Sequence, residues 1–135
     1  MRALLDTNVL LWWLGSSRRL RPGHREIIAD PANQVFVSAI SAAEIEIKAA
    51  LGKLPEAPES LAEAMAAEGF AELRFSVAHA AALRALPPIH RDPFDRMLMA
   101  QALTEGLPVL TADPVFGAYG VDTPRDDGRP STRGA

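Results

Sequence analysis

Two rhythms of apolar and polar positions alternate along the chain: short β-rich runs, and longer stretches with an apolar residue every three or four positions. Arg2-Ala3-Leu4-Leu5 is the first short run and stops at Asp6; Val9 to Leu14 then reads as a helix ended by Gly15, with Asp6 or Thr7 at its start. Pro22 to Asp30 reads as a second helix, and Gln34-Val35-Phe36-Val37-Ser38 as a second strand. Ser41-Ala42-Ala43-Glu44 has the spacing of a capping box and opens a helix through Ile45, Ile47, Lys48 and Leu51 to Gly52. Glu59 to Glu68 is an alanine-rich amphipathic helix, Glu72 to Ser76 a third strand, and Ala78 to Leu86 a further helix stopped by Pro87-Pro88. Asp92-Pro93-Phe94-Asp95 starts a long helix that ends at Gly106, with Asp92 as its cap. Leu107 to Thr111 is a fourth short strand, and Val115 to Val121 reads as a last edge strand.

Strands alternating with helices across short connections predict a three-layer α/β/α sandwich around a mostly parallel sheet. The expected domain covers residues 1–122, and the Pro-, Arg-, Asp- and Gly-rich composition of residues 123–135 predicts a disordered tail. With 135 residues, 48% of them hydrophobic and 23% charged, the chain can build one core and is neither fibrous nor wholly disordered. It has no cysteine, which excludes disulfides, thiolate metal sites and a Cys nucleophile. No apolar run approaches the length of a membrane span, and the acid at position 6 interrupts any apolar leader, so the expected location is cytoplasmic.

The formal net charge is −3, which argues against indiscriminate binding to nucleic acid. Of the 14 basic residues only Lys48 and Lys53 are lysines, and Arg18, Arg19, Arg21 and Arg25 cluster in one short stretch. Arginine forks suit phosphate, although such a run also serves as a solvated face.

Four acids fall at the ends or starts of elements. Asp6 ends the first strand, Asp113 follows the fourth, and Glu44 sits in the first turn of the helix after the second. All three lie at the carboxyl edge of a parallel sheet, where ligands bind. Asp95 starts a helix that leads into a strand, so the pattern sets it at the opposite edge unless a loop carries it back. If the four converge, their mutual repulsion calls for a divalent cation, and an all-oxygen site suits Mg²⁺ or Mn²⁺. Such a site hydrolyses phosphodiesters. Each acid also has a plainer use: Asp6 as a helix cap, Glu44 as half of the capping box, Asp95 beside a helix dipole and Asp113 in a turn before Pro114.

Four stretches carry a family likeness. Leu4-Leu5-Asp6-Thr7-Asn8-Val9-Leu10-Leu11-Trp12 resembles the opening of PIN-domain proteins, and Ser38 to Ile45 with Lys48 and Gly52-Lys53-Leu54 resembles their second motif. His90-Arg91-Asp92-Pro93-Phe94-Asp95-Arg96 with Ala100-Gln101-Ala102 is similar to the third, and Leu110-Thr111-Ala112-Asp113 with Phe116 to the fourth. The stretches run from residue 4 to 116 in the family's order, with most likeness to VapC-type toxins of bacterial toxin–antitoxin pairs. The resemblance implies a Mg²⁺- or Mn²⁺-dependent ribonuclease whose acidic quartet is Asp6, Glu44, Asp95 and Asp113 in one pocket. It implies that Asn8 and Thr111 support the acids from behind. Asp92 has two readings, an extra acid of the site or only the cap of its helix. It further implies a homodimer and a small antitoxin partner that supplies the DNA-binding part, so that this chain alone binds DNA weakly; RNA is expected to enter as a single strand, because the scissile phosphate must reach a recessed acidic groove.

Arg18, Arg19, Arg21 and Arg96 are candidates for RNA backbone contacts. Trp12 and Trp13 fit base stacking or core packing, Met97 and Met99 fit packing, and His90 fits an RNA contact or no particular role. Three alternatives compete. An aspartyl-nucleophile phosphatase wants a second acid where Asn8 stands. A receiver-like signalling module wants a lysine after a late strand, whereas Lys48 and Lys53 both lie near the second motif. A PIN-like chain that only binds its partner keeps the same residues.

Overall fold

Alternation within the strands decides how the layers assemble. In the computed structural model, which describes residues 1–124, Ala3 and Leu5 of β1 (Arg2–Leu5) join one buried cluster and Leu4 the other. In β2 (Gln34–Ser38), Val35 and Val37 join the first cluster and Phe36 the second. With β3 (Ala71–Leu73) and β4 (Val109–Leu110) these strands form one sheet in the order β3-β2-β1-β4, every pairing parallel. Both faces are therefore apolar and both need helices over them.

The first face is covered by α1 (Thr7–Leu14), α2 (Pro22–Ala29), α3 (Ala39–Ala50) and α4 (Leu61–Glu68), through Val9, Leu10, Ile27, Ile28, Ile45 and Leu61. A short α5 (Val77–Ala82), extended by a 3₁₀ turn over Leu83–Ala85, packs against α6 (Pro93–Glu105). Then α6 and α7 (Val115–Ala118) cover the second face with Leu98, Met99, Ala102 and Phe116. Each of the larger side chains withdrawn from water contributes about 2 kcal/mol. The result is the α/β/α sandwich with a parallel sheet that the strand–helix alternation predicts. The chain steps outward from β1 through β2 to β3, then crosses back to add β4 on the other side of β1. That reversal opens a crevice beyond the carboxyl ends of β1 and β4.

Three elements differ from expectation. Ser38, not Ser41, caps α3: its Oγ accepts the Ile40 N–H at 2.9 Å and donates to Gln101 Oε1. Glu44 thereby moves to the second turn. β3 stops at Leu73 because the next residues are taken by other partners. The Leu73 and Arg74 carbonyls accept from Gln101 Nε2, and Ser76 caps α5. Val115 to Val121 is no edge strand. Phe116 and Tyr119, three apart, turn to the same buried cluster from a helical turn, and Gly120 then reverses the chain at φ +82°. The tail expected over residues 123–135 lies, from residue 125 onward, outside the described residues. No helix among the described residues is long and apolar enough to cross a membrane.

Candidate functional site

Asp6 leaves β1 in extended conformation and caps α1, its Oδ1 accepting the Val9 N–H at 2.7 Å. Its other oxygen accepts from Thr111 Oγ1 at 2.5 Å, and the same Thr111 hydroxyl accepts the Asp113 N–H at 3.0 Å. One threonine after β4 thus ties together the acids of the two strands that flank the reversal. Glu44 enters from α3: Thr7 Oγ1 donates to its Oε1 at 2.8 Å and lies 3.0 Å from Ser41 Oγ, while Lys48 Nζ holds Oε2 at 2.6 Å. Asp92 caps α6 through the Phe94 and Asp95 N–H groups, which sets Asp95 in the first turn.

These residues line one pocket. Asp6, Thr7, Asn8, Glu44, Lys48, Asp92, Asp95 and Asp113 surround a volume of about 130 Å³. The expectation that Asp95 starts at the far edge is overturned. A helix that connects parallel strands runs antiparallel to them, so the N-terminus of α6 sits beside the carboxyl ends of β1 and β4. For Asp6 and Asp92, capping a helix does not exclude a place in the pocket, since each acid does both.

Five carboxylates here face one ammonium. Burial pushes the Asp6 carboxyl up to about 6, against the Thr111 and Val9 hydrogen bonds, and the charges of Asp95 and Asp113 push it further. Asp95 is also raised, by burial first; its bond to His90 opposes the rise, and the nearby Asp92 and Glu44 charges add to it. Lys48 is raised by its hydrogen bond to Glu44. A cation would relieve this repulsion, and the donor set is one of hard oxygens. At roughly 30 Å³ per water, the volume accommodates an ion that keeps several of its waters. The residues present therefore fit Mg²⁺ or Mn²⁺.

The remaining candidates separate. Among the described residues it is Thr7, rather than Asn8, that bonds a site carboxylate. Asn8 stands where the pocket joins a groove lined by Leu11, Trp12, Arg19, Leu54 and Glu56. Arg18 and Arg21 are exposed on the same connection and do not line that groove. Arg96 is committed elsewhere: its guanidinium donates to the carbonyls of Leu86, Pro87 and His90 and to Tyr119 Oη, so it braces a loop. Trp12 and Trp13 pack partly buried against the first core, Trp13 Nε1 also donating to Glu68. Met99 is fully buried in the second core.

Thr7, Ser41 and Lys48 join the site from outside the candidates that the sequence offers, and His90, a candidate there only for RNA contact, lies against two of its acids. Lys48 was findable, because a lysine four residues after a glutamate on a helix pairs with it. His90 was not: its Nε2 lies 2.8 Å from Asp95 Oδ2 and 4.0 Å from Asp113 Oδ2 only because its loop returns beside those two acids.

The model of the PIN domain family matches residues 3–121 of the chain. The chain belongs to the PIN domain family. Comparison with curated proteins returns no significant sequence match. Among solved structures, a chain of VapBC2 from Rickettsia felis, bound to promoter DNA, superposes with a TM-score of 0.61 at 14% identity, covering 88% of this chain and 93% of the other. A chain of DNA-bound VapBC from Salmonella typhimurium gives 0.60 at 18% identity, covering 96% and 95%. A chain of a toxin–antitoxin complex from Klebsiella pneumoniae gives 0.56 at 24% identity, covering 83% and 87%. PIN domains are generally nucleases that use divalent metals. In this PIN domain the four acids of the quartet line the same pocket.

Proposed function

We propose that this PIN domain is a Mg²⁺- or Mn²⁺-dependent endoribonuclease acting as the toxin of a toxin–antitoxin pair. The observation that carries this reading is the convergence of Asp6, Glu44, Asp95 and Asp113, delivered by four different elements, on one recessed pocket at the sheet reversal. Asp6, Asp95 and Asp113 would hold the cation, with Glu44 as a further ligand or as the group that orients the attacking water. When bound, such an ion would polarise a water for attack and place positive charge beside the scissile phosphate.

The protein's own groups do the rest. Thr111 fixes Asp6, while Thr7 and Lys48 hold the two oxygens of Glu44, so the carboxylates are oriented before substrate arrives. The pocket is recessed, which favours a single strand whose phosphate can be drawn inward. Asn8 and Arg19 line the adjoining groove, and there they would meet the RNA backbone on its way in. The toxin assignment draws on the solved relatives, which include a toxin–antitoxin complex and VapBC complexes. We extend it to a homodimer and to a small antitoxin that covers the site. With a formal charge of −3, this chain is expected to bind DNA weakly on its own.

The test is incubation of the purified chain with mixed single-stranded RNAs in Mg²⁺ or EDTA, beside Asp6→Asn and Asp95→Asn. Cleavage that disappears in EDTA and in both folded variants supports the proposal. Cleavage that persists in either variant moves the chemistry to another site. Absence of cleavage on every RNA tested favours a PIN domain that only binds a partner.

A further inference from the structure

Among the described residues, His90 is the imidazole that the fold brings to the acids of the pocket. Its Nε2 and one oxygen each of Asp95 and Asp113 all lie within 4.8 Å of one another. The individual separations have the sizes that a shared ion requires. In an octahedron with bonds of about 2.1 Å, adjacent donors stand about 3 Å apart and opposite donors about 4.2 Å. Here His90 Nε2 is 2.8 Å from Asp95 Oδ2 and 4.0 Å from Asp113 Oδ2.

The imidazole is also held in place rather than loosely tethered. The His90 N–H donates to Tyr119 Oη at 2.8 Å and the Ile89 N–H donates to the same oxygen at 3.0 Å, while Tyr119 Oη donates to the Pro87 carbonyl at 2.6 Å. Tyr119 is itself buried in the second core, and Arg96 grips the same loop through the Leu86, Pro87 and His90 carbonyls. Two residues from different elements thus fix the backbone that carries His90. About a quarter of the His90 side chain is exposed, as is about a quarter of Asp95, so an ion has access to both.

The geometry points to His90 as a direct nitrogen ligand, with Asp95 and Asp113, of the divalent cation in this pocket, biasing the site toward Mn²⁺ over Mg²⁺. This rests on reading the pocket as a metal site and adds a ligand to the acidic quartet. A site of carboxylates and water suits Mg²⁺. An imidazole in the set favours the later first-row ions, whose affinity for nitrogen exceeds that of Mg²⁺.

The experiment uses the full chain, freed of metal and loaded with Mn²⁺ alone. Pulsed electron paramagnetic resonance reads ¹⁴N coupling to the bound ion, and the sample is repeated with ¹⁵N-histidine and with His90→Gln. Calorimetry of Mn²⁺ and Mg²⁺ binding runs beside it. Glutamine can still donate a hydrogen bond to Asp95 but offers no imidazole, so it separates ligation from mere positioning. The expected result is directly bound nitrogen that switches isotope with the labelled histidine and vanishes in His90→Gln. Mn²⁺ affinity should fall at least about 10-fold in that variant, and Mg²⁺ affinity by less. The isotope readout uses unmutated protein and so does not depend on the variant folding. Bound Mn²⁺ without nitrogen coupling, or coupling that survives His90→Gln, overturns the assignment of His90 while leaving the metal site intact. No Mn²⁺ binding at all overturns both.

Discussion

Asp6→Asn should make the metal-free protein more stable at neutral pH while abolishing its chemistry. The Asp6 carboxyl rises from an ordinary 3.8 to about 6 on folding, chiefly because it is buried beside other acids. The sign follows from linkage. Below pH 4 the group is protonated in both the folded and unfolded chain and costs nothing. Between about pH 4 and 6 the unfolded chain ionises first, so stability is lost as pH rises through the folded value. Above that window the loss is constant. At about 1.4 kcal/mol per tenfold change in the protonation equilibrium it comes to about 3 kcal/mol.

Asparagine removes that cost, keeps the Val9 N–H on its carbonyl and turns its amide toward Thr111, which loses its acceptor. The lost bond costs about 1 kcal/mol at every pH. In EDTA the variant should therefore melt roughly 5–10 °C above the wild type at pH 8, and a few degrees below it near pH 4. Adding Mg²⁺ or Mn²⁺ at pH 8 should raise the wild type by about 3 kcal/mol at 100 times its dissociation constant, and the variant by much less. Differential scanning calorimetry across that pH range reads both effects. A melting difference between the two proteins that stays constant from pH 4 to pH 8 would refute the argument, because the charge of Asp6 would then carry no folding cost.

Two further substitutions test the frame around the pocket. Arg96→Lys replaces a planar fork that reaches three carbonyls and the Tyr119 hydroxyl with a single ammonium. It should cost about 2 kcal/mol and speed limited proteolysis between residues 86 and 92, whereas an unchanged melting temperature would show the loop to be held otherwise. Gln101→Leu removes a fully buried amide that bonds Ser38 and the Leu73 and Arg74 carbonyls. It should cost roughly 2–3 kcal/mol and accelerate amide hydrogen exchange at β3; exchange confined to α6 would contradict the link.

Local chemistry determined much of this protein in the sequence itself. The alternation of Ala3 and Leu5 with Leu4, and of Val35 and Val37 with Phe36, already sorts side chains onto two faces, because a strand has no other way to present successive residues. Asp92 and Pro93 mark the start of α6, and Gly106, at φ +66°, marks its end, for equally local reasons. The acids that converge were legible as acids at element boundaries.

Other features depended on partners far away in the chain. Ser38 and Ser41 both stand where a helix can start. The choice fell to Ser38, which also bonds Gln101 of α6, while Ser41 meets Thr7. Arg96 looks like a phosphate contact until the loop before it turns back and offers it carbonyls. The run from Val115 to Val121 is apolar enough for a strand, yet the buried second face had room for Phe116 and Tyr119 from a helical turn. Asp95 reached the pocket through the direction in which a connecting helix must run, and His90 through a loop clamped by a tyrosine 29 residues later. Periodicity and capping are read from neighbours in sequence. Which donor meets which acceptor is decided by the packed layers, since a buried polar group must find its partner wherever the fold has placed one.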